Sequence, residues 1–327
     1  MPRSRQLLPT LAVFGALLVV MGVVVALSLR GSGPPADDPG ARTPTPTPSP
    51  SGSPAPSVPG PGSPAPSLTL PTAVPTQPCR PQQLATRLTV ASFNIHSART
   101  GAGVRLDLVA DEIAALNADV VLLQEVDRGR AVTGRVDMPT VLADRLGMEQ
   151  VFGANVRSGS EEYGTALLSR YPVVSWRNHP LPNSAGGQPR GVLHAVLDVD
   201  GLALSVYNTH LDFRRGGLKA VQARAVADLV ADDPRPRVLG GDLNAKPGSA
   251  VVAAVTAVAT DPWPQVGVGT PATSPADAPV GRIDYLLHAG PGLTPLWADT
   301  VPTGVSDHRP VRTRYRLTGL GGCEPVS

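Results

Sequence analysis

Residues 202–210 read Leu-Ala-Leu-Ser-Val-Tyr-Asn-Thr-His, and residues 238–244 read Val-Leu-Gly-Gly-Asp-Leu-Asn. Each opens as a short apolar run and stops on residues that carry chemistry: His210 in the first, Asp242 and Asn244 in the second. Two runs upstream end the same way, Leu-Thr-Val-Ala-Ser-Phe on Asn94 and Val-Val-Leu-Leu-Gln on Glu125. Polar groups at the carboxyl ends of buried strands converge on the crevice where α/β folds bind ligands. Burying one such group unpaired is costly. A lone strand-end Asn or Asp reads as a turn former or helix cap. Four at equivalent places read as one shared site.

Working outward, strand-like runs occupy 88–94, 119–125, 163–169, 192–199, 202–209, 238–242, 283–287 and 311–315. Asp200-Gly201 between two of them predicts a tight hairpin turn. Helical spacing places Leu106, Val109, Ile113 and Leu116 on one face of 105–117, and Leu218, Val221, Ala225 and Leu229 on one face of 215–231. Strands with intervening helices predict α/β layering, with hairpins adding antiparallel pairs.

The composition divides the 327 residues into four segments. Residues 1–30 contain 23 consecutive uncharged residues, Leu7 to Leu29, flanked by Arg3, Arg5 and Arg30. At ~1.5 Å per residue that run spans roughly 35 Å, enough for a ~30 Å hydrocarbon core. It predicts an uncleaved signal-anchor helix with its N-terminus cytoplasmic and the remainder outside the cell; a cleaved signal peptide, giving a secreted protein, is the competing reading. Residues 31–86 hold 17 of the 37 prolines and read as a disordered Pro/Ser/Thr-rich spacer. Residues 87–317 read as one folded domain, and 318–327 as a tail. Cys79 and Cys323, the two cysteines, flank the domain and are expected to pair in an oxidising exterior. The domain carries 23 Lys plus Arg and 23 Asp plus Glu, a net charge of zero. That balance and the 4% aromatic content argue against a polynucleotide-coating surface. Two cysteines exclude a disulfide scaffold or a thiolate zinc cluster.

Six blocks occur in order: Ser92-Phe93-Asn94-Ile95-His96, Leu123-Gln124-Glu125-Val126-Asp127, Asn208-Thr209-His210-Leu211-Asp212, Gly240-Gly241-Asp242-Leu243-Asn244-Ala245, Arg282-Ile283-Asp284-Tyr285 and Ser306-Asp307-His308-Arg309-Pro310. Together they resemble the endonuclease/exonuclease/phosphatase superfamily. The resemblance implies a four-layer α/β/β/α sandwich with two mixed β-sheets and a divalent-metal site at the strand ends. Asn94 and Glu125 offer hard oxygen ligands suited to Mg²⁺, with Mn²⁺ as a substitute. Asp307 is expected at the metal or just behind it. The resemblance nominates Asp284 to orient His308, which acts as general base or steadies the phosphoryl oxygens. His210 would contact the scissile phosphate, with Glu161 or Glu162 as a guessed partner; Asp242 would position or activate water and Asn244 would donate to a phosphate oxygen. Whether Asp242 or His308 takes the proton stays open at this level.

These residues predict a membrane-tethered, extracellular Mg²⁺-dependent phosphoesterase acting on a phosphodiester. The substrate alternatives are nucleic acid, as for an extracellular nuclease; a lipid head group, as for a sphingomyelinase or phospholipase C; and an inositol phosphate, for which Arg282, Arg214 and Arg215 supply a partial basic cluster. A catalytically dead surface-binding module is the competing class. No protein partner is inferred. The stretch 258–280 reads as a rim loop.

Overall fold

β-Branched and leucine-rich runs become strands because both of their faces are covered, so neither needs polar side chains. In a computed structural model, which describes residues 79–325 except Gly186 and Arg215, and only the backbone of 79–80 and 323–325, those runs form two packed sheets. In chain order the strands are β1 (Cys79–Asn94), β2 (Arg99–Thr100), β3 (Gly103–Val104), β4 (Val120–Arg128), β5 (Glu149–Ser158), β6 (Glu161–Ser169) and β7 (Val173–Pro180). They continue with β8 (Gly191–Val199), β9 (Leu202–His210), β10 (Arg237–Asp242), β11 (Asp284–Ala289), β12 (Leu293–Thr300) and β13 (Val311–Pro325). The helices are α1 (Leu106–Leu116), α2 (Met138–Leu146), α3 (Leu218–Ala231), α4 (Ala250–Thr256) and α5 (Trp263–Val266). One sheet has the order β12-β13-β1-β4-β6-β5 and the other β11-β10-β9-β8-β7, while β2 and β3 form a small ribbon.

Both large sheets are mixed: β1 and β4 run parallel, as do β9 and β10, and the other pairs are antiparallel. Alternation along each strand sorts its side chains into layers. Val120 and Leu122 of β4 join Leu88, Leu167, Leu193, Leu204 and Leu286 in the core between the sheets. Val121 and Leu123 point the other way, onto Val109, Ile113 and Leu142 of α1 and α2. On the second sheet's outer face, Tyr207, Leu239 and Tyr285 pack beneath α3 and α4. The four-layer arrangement expected from the resemblance is therefore present. Each fully buried leucine in the middle layer contributes about 2 kcal/mol through its own burial.

Asp200 and Gly201 both adopt positive φ, 53° and 86°, and close the β8–β9 hairpin as the sequence predicts. The strands β5, β7 and β12, and helix α2, were not legible as elements beforehand. All three strands are sheet edges, where one flank and much of both faces meet solvent and the apolar signal thins. At the chain ends, β1 begins within the segment read as spacer and β13 continues into the segment read as tail. The two pair antiparallel from Cys79↔Pro325 to Ser92↔Val311. The described residues fall within one unit, Ala73–Ser327. The predicted anchor at 1–30, the spacer as far as residue 78 and the side chains of Cys79 and Cys323 lie outside the described residues, so the structure carries neither the membrane nor the disulfide expectation. Among the described residues no helix is long and apolar enough to cross a membrane.

Candidate active site

Parallel pairing delivers the carboxyl ends of neighbouring strands to the same end of a sheet. Asn94, at the end of β1, stands opposite Gln124 at the bulge in β4, and Asp242 stands opposite His210 at the ends of β10 and β9. Antiparallel β11 starts where β10 stops, setting Asp284 opposite Asp242. The His308 segment enters from the loop before β13. Ser306 Oγ donates to the Asn94 carbonyl at 2.7 Å, tying this loop to the end of β1.

Seven of the eight predicted residues meet around this point. Asn94 Nδ2 donates to Glu125 Oε1 at 3.1 Å and to Asp242 Oδ2 at 3.2 Å, bridging the two sheets. The amide orientation is assigned from its other contact: Oδ1 accepts from the His96 backbone N–H at 3.1 Å. Asp242 Oδ1 accepts from the Asn244 backbone N–H at 2.7 Å, and Asn244 Nδ2 donates to the Leu211 carbonyl. His308 Nδ1 lies 2.9 and 3.1 Å from the two oxygens of Asp284 and 3.9 Å from Asp242. That contact keeps a proton on Nδ1 and leaves Nε2 as the nitrogen free for chemistry. Asp284 is held in turn by Thr273, whose hydroxyl accepts from the Asp284 and Ile283 backbone N–H groups.

The eighth residue, Asp307, sits at the mouth. It is exposed, and its Oδ1 lies 3.5 Å from His96 Nδ1. The pair borders a cavity of about 520 Å³ that Arg99, Pro275, Asp277 and Thr303 also line. Loop 258–280 thus reaches the rim as expected, and the Ala276 N–H donates to the Asp307 carbonyl.

Backbone strain concentrates here. Glu125 has φ of 56°, in the left-handed region, at a bulge between Leu123 and Val126 that turns its carboxylate toward Asn94. Holding a non-glycine residue there costs about 1–3 kcal/mol, which the surrounding structure must offset. Asn244 also has a left-handed φ, 50°, which asparagine tolerates, whereas Gly241 has φ of 131° and no room for a side chain, since a Cβ would fall 1.9 Å from the Thr209 carbonyl oxygen.

The electrostatics follow from burying several acids together. Burial, and then the Asp284 charge, push the Asp242 carboxyl up to about 7. Burial alone would lower His308, but Asp284, Asp242 and Asp307 raise it to about 10. His210 is driven well below its ordinary value by burial, then by the nearby Arg190 and His308, so its imidazole is neutral. Asp242, Asp284 and His308 place one ligand atom each within 4.8 Å of one another. Together with Glu125 they form an acid-rich donor set whose mutual repulsion a divalent cation would relieve. The residues present fit such an ion.

Three expectations need correction. Glu162 is bound to Arg128 and Arg157, and Glu161 accepts from the Ala131 N–H, so neither serves His210. Its nearest acid is Asp242, with 3.5 Å between Nε2 and Oδ2. Arg282 is clamped by both oxygens of Asp261 and lies over the Trp263 and Tyr285 rings; it is part of the structure, not a phosphate receptor. Arg214 is likewise engaged by Asp212, and Arg215 lies outside the described residues. Sequence reading also overlooked the support beneath the site. Gln124 Nε2 donates to Asn208 Oδ1, and Asn208 Nδ2 donates to the Leu123 and Ala166 carbonyls, a fully buried polar bridge between the sheets. An amide ending an apolar run was the available signal.

An acid-rich pocket holding an aspartate-oriented histidine at the strand ends of two packed mixed sheets is the arrangement of a metal-assisted phosphoesterase. The model of the Endonuclease/Exonuclease/phosphatase family matches residues 91–308, and the chain belongs to that family. It is 33% identical over 134 residues to protein cwh43 of Schizosaccharomyces pombe, covering 41% of this chain but 14% of that protein. It is 29% identical over 252 residues to the Escherichia coli protein YbhP, covering 70% and 96% of the two chains. A phospholipase C of Staphylococcus aureus is 24% identical over 194 residues, 50% of this chain and 59% of that one. Among solved structures, an endonuclease/exonuclease/phosphatase from Beutenbergia cavernae superposes with a TM-score of 0.57 at 26% identity, covering 72% of each chain. The protein is a phosphoesterase of this family with a buried Asp/His candidate metal site.

Proposed function

We propose that the domain is a Mg²⁺-dependent phosphodiesterase, with Mn²⁺ as a substitute, displayed outside the cell on the 1–30 segment. The observation that carries this reading is the junction of two donor groups. Asn94 and Glu125 on one sheet meet Asp242, Asp284 and His308 on the other through the Asn94 amide. Asn94 and Glu125, with Asp307 at the mouth, would hold the cation, which when bound neutralises phosphate charge and stabilises the leaving oxygen. Asp242 accepts the proton of the attacking water: its Oδ1 is fixed by the Asn244 N–H, and its raised carboxyl is matched to neutral pH. His308, aligned by Asp284, directs Nε2 at the phosphoryl oxygens, and neutral His210 lies close enough to Asp242 to share the same phosphate.

For the substrate, the charge-balanced domain disfavours a polyanion, while the likeness to a phospholipase C and the anchor-like segment favour a phosphodiester in a lipid head group. Hydrolysis of bis(p-nitrophenyl) phosphate should require Mg²⁺, stop with EDTA and be lost in His308→Ala. Activity indifferent to both treatments would overturn the mechanism. A panel of phosphatidylinositol, sphingomyelin, RNA, single-stranded DNA and inositol phosphates then assigns the substrate, and preference for a nucleic acid would displace the lipid reading.

A further inference from the structure

Lys219 stands where the local fold gives a lysine little support. It lies in the first turn of α3, whose N-terminus carries the positive end of the helix dipole and has neither an acidic residue nor a side-chain cap to offset it. It is half-buried, and burial pulls its ammonium below the ordinary lysine range, against the charges of Asp242 and Asp212, which hold it up. Among the described residues it forms no ion pair; its Nζ donates instead to the Asn244 backbone carbonyl at 2.5 Å. A cation placed at this end of a helix and partly withdrawn from water needs a reason.

The turn that it holds supplies one. Asn244 follows β10, its N–H donates to Asp242 Oδ1 at 2.7 Å, and its side chain donates to the Leu211 carbonyl at 3.1 Å. The Leu211 N–H donates in turn to the Asp242 carbonyl at 2.9 Å, so the ends of β9 and β10 are laced together just beyond His210 and Asp242. Gln222, three residues after Lys219 and on the same helix face, serves the neighbouring loop. Its Oε1 accepts from the Asp212 N–H at 2.9 Å, and its Nε2 donates to the Pro182 carbonyl at 3.0 Å. Helix α3 therefore grips both strand-end loops, with a neutral amide on the His210 side and a cation on the Asp242 side. A charged donor makes the stronger bond to a carbonyl, and here it also brings a positive charge within electrostatic reach of a buried acid.

We propose that Lys219 is a positioning residue for the reaction: it clamps the Asn244 carbonyl so that the Asn244 N–H keeps Asp242 aimed at the attacking water. The inference rests on the phosphoesterase reading, in which Asp242 accepts the proton of that water, and adds the residue that fixes the direction of the acceptor. Lys219 acts through Asn244 and needs no contact with cation or substrate.

Lys219→Met keeps the aliphatic stem and removes the donor. It should lower kcat for bis(p-nitrophenyl) phosphate by about tenfold or more, since a misplacement of about 1 Å can cost about 10²-fold, and leave KM within about twofold of wild type. Lys219→Arg, which restores a charged donor, should recover most of that loss, a rescue that packing of the stem alone would not give. Lys219→Gln, with a neutral donor, should fall between the two, and it stands in if Lys219→Met does not fold. Amide hydrogen exchange on the full chain in EDTA reads the same turn without turnover. The Asn244 N–H should exchange about tenfold faster or more in Lys219→Met, while that of Leu239, in the middle of β10, should be unchanged. Rates of turnover and of Asn244 exchange within about twofold of wild type would overturn the proposal. Equal loss of protection at Leu239 would also overturn it, by assigning Lys219 to general stability. An inactive wild type whose Asn244 exchange still depends on Lys219 would refute the phosphoesterase reading and leave the clamp standing.

Discussion

The middle of the sandwich and its strand-end rim are built from the same strands and obey different rules. Between the sheets, Leu122, Leu167, Leu204 and Leu286 are fully buried on regular backbone. Three residues beyond Leu122, Glu125 takes up left-handed φ, as does Asn244 just past the end of β10; there the β4–β6 register slips, and buried acids face one another. The middle is relaxed and apolar; the rim is strained and charged. Stability resides in one region and chemistry in the other, so substitutions should separate them.

The largest separation should come from His308→Ala, which is expected to reduce kcat by about 10³-fold through loss of positioned proton or phosphate chemistry; kinetics with bis(p-nitrophenyl) phosphate test it. In the opposite region, Leu167→Ala should cost about 2–5 kcal/mol in denaturant unfolding while leaving KM unmoved. A change in KM would mean that core and rim are not independent. Asp284→Asn should lower kcat by about 10²-fold, and NMR titration should find His308 below its value of about 10, because the carboxylate that helps hold it up is gone. Glu125→Gly should lower kcat yet raise stability by roughly 1 kcal/mol, since glycine adopts φ of 56° without strain.

A further effect is expected on pH dependence without metal. Asp242 is raised to about 7 and His308 to about 10, so the folded protein holds protons that the unfolded chain has released. The stability these groups contribute is present at low pH and is lost as pH rises, through about 7 for the carboxyl and about 10 for the imidazole. Melting temperature in EDTA should fall over that window and flatten when Mg²⁺ is restored.

How much of this was readable in advance differs between the same two regions. Interior strands such as 119–125 and 202–209 announced themselves, because burial on both faces leaves a continuous apolar run. Edge strands β5, β7 and β12 did not, since their burial depends on which neighbour covers them. Asn94, Glu125, His210, Asp242, Asp284 and His308 were legible because each punctuates an apolar stretch or falls in an ordered block. Arg190 was not. It follows Gln188-Pro189 in a stretch without periodicity, and its burial exists only once β8 is set against β9.

By itself, the order of residues determined which groups end each strand, and hence that oxygen and imidazole ligands would gather at one end of an α/β sandwich: strand direction and side-chain alternation are local consequences of sequence. Only the tertiary structure decided that Asp242, and neither Glu161 nor Glu162, is the acid beside His210, and that Arg282 is held by Asp261. Charge pairing across a fold depends on distances between segments far apart in the chain, and no local pattern encodes those.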